Sequence, residues 1–141
     1  MTEVNPQVGQ TLQPIVREAR RALIMLFSGY PLKRNIHTDE DFAIERGLPG
    51  VIMEGVQTYA FLSQMLVGYF GESWFSTGKL DVAFLKVILP DDVLTTGGEI
   101  DGVEQVEGGV AITMKVWVDS QRGERVAAGT ASGTLRVLAA V

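Results

Sequence analysis

The chain has 141 residues, 46% apolar and 21% charged, with 12 Lys and Arg against 17 Asp and Glu for a formal net charge of −5. This length suits one domain over residues 1–141, with a core that needs no metal or disulfide. The pI near 4.8 argues against an electrostatic nucleic-acid binder, and the lack of cysteine excludes disulfides, thiolate metal sites and a cysteine nucleophile.

The stretch from Met1 to Thr11 is polar and carries no signal core. The longest apolar run, Ala22 to Phe27, is far too short to span a bilayer, so a soluble cytoplasmic protein is expected. Thr11 to Val16 reads as a short first strand, placed at a sheet edge by Pro14. Ala19 to Phe27 reads as a helix, broken by Ser28-Gly29-Tyr30-Pro31. After a polar loop, Thr38 is the expected cap of a second, short helix, with Asp41 three residues on. That helix should end near Gly47-Leu48-Pro49-Gly50.

Ile52 to Phe70 reads as the long helix. Ile52, Val56, Tyr59, Leu62, Met65 and Leu66 recur at helical spacing with almost no charge among them. It should be buried on most sides and stop at Gly71. After Gly78 the period becomes two. Leu80 to Ile88 alternate, Pro90-Asp91-Asp92 turns the chain, and Val93 to Val106 forms a strand interrupted at Gly97-Gly98. Val110 to Val118 alternates cleanly, Gln121-Arg122-Gly123 is a hairpin turn, and Arg125 to Val137 is the last strand. The pattern implies an α+β chain in which a curved antiparallel sheet wraps one long helix. Such a sheet leaves edges that a dimer could cover.

His37 is the one histidine. Histidine changes charge near neutral pH, which suits a general acid/base, although a lone loop histidine is as readily a surface or hydrogen-bonded residue. Glu54 stands at the start of the apolar helix. It is either a carboxylate favoured by the helix dipole or a half-buried group poised for proton transfer. Gly50 and Gly55 bracket the same helix start, where free backbone N–H groups could hold a developing oxyanion. Asp39, Glu40 and Asp41 point different ways on a helix, which favours capping over metal binding. No phosphate loop or nucleophile elbow occurs. Tyr69, Phe70, Trp74 and Phe75 form an aromatic cluster that suits a core or a dimer interface.

Several of these segments together resemble the MaoC-like (R)-specific enoyl-CoA hydratase family. The run from His37 to Ala43 resembles the histidine half of the family signature, a histidine followed by five residues and then Ala or Ser. Ser28-Gly29 resembles the Ser-Gly that precedes it. The stretch Gly50 to Gly55 resembles the approach to the family's central helix, and Leu80 to Leu85 with Pro90-Asp91-Asp92-Val93 resembles the downstream strand and turn. The resemblance implies the hotdog fold, usually as a dimer. It also implies hydration of 2-enoyl thioesters of coenzyme A or a carrier protein, as in fatty acid metabolism, with no metal or redox cofactor.

Two positions depart from the family. The signature opens with an aspartate five residues before the histidine, where this chain has Leu32; other registers offer Tyr30 or Lys33. The central helix of the family opens with His-Gly, where this chain has Glu54-Gly55. Related hotdog dehydratases acting on (3R)-hydroxyacyl carrier protein pair a loop histidine with a carboxylate on the central helix, behind a Pro-Gly-Val stretch similar to Pro49-Gly50-Val51. On that likeness His37 and Glu54 form a mixed dyad, within one protomer or across a homodimer, with Gly55 as oxyanion donor and Gly50 and Asp39 as further oxyanion or substrate-binding residues. Two other activities fit the same residues. One is a hotdog thioesterase using Glu54. The other is a non-catalytic subunit of a heterodimer, motivated by the missing aspartate.

Overall fold

The computed structural model describes residues 5–136. Five antiparallel strands, β1 (Val16–Glu18), β2 (Lys79–Phe84), β3 (Val93–Val106), β4 (Gly109–Ser120) and β5 (Arg125–Arg136), lie in the order β1-β3-β4-β5-β2. The helices are α1 (Arg21–Phe27), α2 (Glu40–Glu45), α3 (Gly55–Phe70) and α4 (Trp74–Thr77), the last two joined by a 3-10 turn over Gly71–Ser73. The sheet and the single long helix are the α+β arrangement that the sequence pattern implies.

The core lies between α3 and the sheet. Leu62, Met65 and Leu66 of α3 share one buried cluster with Ile100 of β3 and Ile112, Met114 and Val116 of β4. Each such apolar side chain contributes about 1.5–3 kcal/mol by leaving water. The period-two pattern of β4 explains its placement: Val110, Ile112, Met114, Val116 and Val118 are buried on one face.

Several local expectations are corrected. Thr11 makes only an isolated bridge to Glu99, and the first strand begins at Val16. Pro14 has no N–H for a ladder, and Ile15 N donates to Thr96 Oγ1 at 2.8 Å. The cap of α2 is Asp39, whose Oδ1 accepts from Phe42 N at 2.8 Å; Thr38 instead donates to the Lys33 carbonyl at 2.7 Å. Helix α3 starts at Gly55 because Glu54 is extended and Met53 N donates to the Ile88 carbonyl at 2.9 Å instead of entering the helix. It is not buried on most sides, since Val56, Tyr59, Ala60 and Gln64 are exposed. Gly71, at φ 61°, does end α3, but the chain re-enters helix at once and stacks Trp74 on Phe70, centroids 5.6 Å apart.

Strand β2 stops at Phe84 rather than Ile88. Leu85 N and Lys86 N both donate to the Val126 carbonyl, which draws 85–88 out of the ladder and toward the start of α3. The Gly97-Gly98 pair does not interrupt β3. Gly97 lacks a Cβ where the Trp117 ring packs, and the irregularity is a bulge at Asp101, between Ile100 and Gly102. Val137, expected in the last strand, lies outside the described residues.

Candidate active site

The loop after α1 carries His37 to the start of α3. His37 Nδ1 lies 2.7 Å from the Ile52 carbonyl oxygen. A carbonyl only accepts, so Nδ1 carries the proton, and in the neutral ring Nε2 keeps its lone pair. Asn35 shapes this loop. Its Oδ1 accepts from His37 N at 2.9 Å and its Nδ2 donates to the Ser28 carbonyl at 3.1 Å. The sequence reading passed over Asn35; its signal was that of an Asx turn, a side-chain amide bonding backbone two residues on.

His37 lines a cavity of about 310 Å³. Gly55 and Thr58 of α3 line it together with Phe84 to Ile88 and Val126. The wall exists because the chain leaves the sheet after Phe84. Gly55 is required there: a Cβ would meet the Phe84 ring at 2.7 Å. Nothing among the described residues accepts from the Gly55 N–H, as expected for the first residue of a helix.

The structure therefore brings His37 and Gly55 to one cavity. Glu54, Gly50 and Asp39 are not among its lining residues. Glu54 caps α3 without bonding its backbone; its Oε2 accepts from Ser28 Oγ at 2.8 Å. Gly50, at φ 150°, is buried against the Glu40 carboxylate, which leaves no room for a side chain. Glu40 in turn accepts from Val51 N at 3.2 Å and from Arg21 at 2.9 Å. The Arg21 hydrogen bond, then that of Val51, holds Glu40 below the usual carboxylate range. Asp39 is likewise held low, by the Phe42 N–H first and Arg34 second. Both carboxylates thus anchor the loop and the turn that present His37 and Gly55.

No carboxylate lines the cavity. Leu32, at the family's aspartate position, is 93% exposed, and Tyr30 and Lys33 are also exposed. Lys86 is the one cation in the wall, its Nζ 3.2 Å from Glu124. Among the described residues no group of three His, Asp or Glu side chains is placed to hold a metal ion. No helix among them is long and apolar enough to cross a membrane.

Comparison with known proteins places this geometry. A family model described as MaoC like domain matches residues 5–121. No curated protein sequence matches the chain significantly. Among solved structures, the MaoC-like dehydratase from Rhodospirillum rubrum is similar at TM-score 0.80 and 19% identity, covering 96% of each chain. The R-hydratase PhaJ1 from Pseudomonas aeruginosa is similar at TM-score 0.73 and 18% identity, over 96% of this chain and 90% of that one. A chain of the ChsH1–ChsH2 complex from Mycobacterium tuberculosis gives TM-score 0.72 and 19% identity, over 98% and 100%. These likenesses establish the fold as the hotdog fold.

Proposed function

The chain belongs to the MaoC-like domain family, and on that premise we propose that it interconverts 2-enoyl and 3-hydroxyacyl thioesters by adding and removing water. The observation that carries this reading is the shared cavity of His37 and Gly55. In hydration, His37 Nε2 takes a proton from water as the water oxygen bonds C3. The C2–C3 π electrons move toward C1, and negative charge gathers on the thioester oxygen. The Gly55 N–H, at the positive end of α3, donates to that oxygen. The imidazolium then returns its proton to C2, and the thioester carbonyl reforms. Dehydration runs the same steps backward.

Glu54 is the second member of the proposed dyad. Ser28 donates to its Oε2 and holds it beside the helix start, next to Gly55 in the chain and outside the cavity lining, so its share in proton transfer is what Glu54→Gln tests. Coenzyme A or a carrier protein supplies the thiol handle, and no metal or redox cofactor is required. The reading is tested by the loss of enoyl absorbance with crotonyl-CoA, in wild type and His37→Ala.

The exposed Leu32 favours a second reading. With no carboxylate in its cavity wall, the chain would serve as the partner of a hotdog subunit that carries an aspartate and histidine of its own. Titrating such a subunit with this chain tests it: hydration that rises to a plateau at one-to-one, with the isolated chain inert, supports it. A fully active homodimer contradicts it.

A further inference from the structure

The cavity has a direction. Among its apolar lining residues Phe84 and Leu85 are 53% and 54% exposed, and they form its rim. Its most buried lining residues, Met53, Thr58, Ile88 and Val126, are each at most 6% exposed, and they form the floor beneath that rim. His37 and Gly55, both half-buried, lie between these extremes of exposure. A thioester held at His37 and Gly55 sends its handle out over the rim and its acyl tail onto the floor.

The room for that tail is small. The entire cavity is about 310 Å³, close to the lower end of the range for small-molecule sites, about 300–1,000 Å³. The floor is also pinned. Met53 N donates to the Ile88 carbonyl at 2.9 Å, and the Val126 carbonyl accepts from Leu85 N at 2.8 Å. Of the four floor residues only Met53 has a long, flexible side chain able to swing aside. Thr58 Oγ1, fully buried, donates to Met53 Sδ at 3.6 Å and holds the thioether in place.

We propose that Met53, latched by Thr58, is the residue that restricts this site to short acyl groups. The inference rests on the hydratase reading for the placement of the thioester. Each extra methylene that the floor must reject is worth about tenfold or more in discrimination.

The test is calorimetric binding of unreactive saturated thioesters, butanoyl-, octanoyl- and dodecanoyl-CoA, to the full chain. Wild type should bind butanoyl-CoA at least about tenfold tighter than dodecanoyl-CoA. Met53→Ala should shrink or reverse that ratio by a similar factor. Thr58→Val keeps the volume and removes only the donor, so it should move the ratio the same way by a smaller factor. It serves as the test if Met53→Ala does not fold, as judged by circular dichroism. Equal binding at all lengths in wild type, or an unchanged ratio in both folded variants, overturns the inference and leaves the hydratase reading standing. Failure to bind any of the three, either on coenzyme A or on phosphopantetheine, overturns the hydratase reading and the inference together.

Discussion

His37 Nδ1 and the Ile52 carbonyl oxygen are 2.7 Å apart, joining the loop before α2 to the extended residues before α3. The bond fixes the ring and its tautomer by backbone alone. In the neutral ring Nδ1 is protonated and Nε2 is the acceptor. Nitrogen-15 NMR of His37 should report that tautomer in the absence of substrate. A ring protonated at Nε2 instead would remove the base from the mechanism.

Ser28 and Glu54 make the second link between the loop and α3, at 2.8 Å. Ser28→Ala leaves a half-buried carboxylate oxygen short of its donor and should cost about 1–3 kcal/mol in denaturant unfolding. Glu54→Gln should lower hydration by about tenfold or more if the carboxylate takes part in proton transfer, since positioned acid/base groups contribute about 10²–10⁴ in rate. Full activity in Glu54→Gln would show that Glu54 only anchors the helix start.

Asp39 separates loop structure from chemistry. As the cap of α2 it should lose about 1 kcal/mol of stability on replacement by Ala. Asn and Ser, which cap comparably, should restore it. Activity per folded molecule should hold in all three variants. A fall in activity that Asn does not rescue would put the carboxylate in the substrate site.

Asp92 contributes to the acid limb of stability. Burial alone would raise it, but hydrogen bonds from Gln121, Leu89 N and Arg122, with the charge of Arg122, outweigh burial and hold it below the usual carboxylate range. The unfolded chain therefore takes up this proton first as pH falls. The stabilisation is complete above an ordinary aspartate value of about 3.9 and is lost as pH drops from there through the native value. Asp92→Asn should cost about 1–3 kcal/mol at pH 7. Urea midpoints at pH 7 and pH 3 should differ less in the variant than in wild type.

Much of this was legible in the sequence. The clean alternation of Val110 to Val118 and the heptad-like recurrence of Leu62, Met65 and Leu66 leave one way to bury those side chains, and the structure takes it. The misreadings occur where a single hydrogen bond outcompetes a pattern. Leu85 to Ile88 keep the alternation of a strand, yet the Val126 carbonyl captures two of their N–H groups and turns them into a cavity wall. Thr38 is as good a cap by type as Asp39; the Lys33 carbonyl claims its hydroxyl first. The burial of α3 was overstated because apolar content carries no information on which face meets the sheet. Residue type and helix position single out His37 and Gly55 as site candidates. Their meeting depends on the Asn35 turn, a local signal two residues from His37, and on the Glu40 bond to Val51 N, eleven residues away, which local patterns do not encode.

The most direct measurement is the loss of conjugated enoyl absorbance when crotonyl-CoA is added to the purified chain and to folded His37→Ala. The account predicts steady hydration by wild type and a fall of about 10²-fold or more in the variant. Hydration that survives unchanged in folded His37→Ala would contradict it.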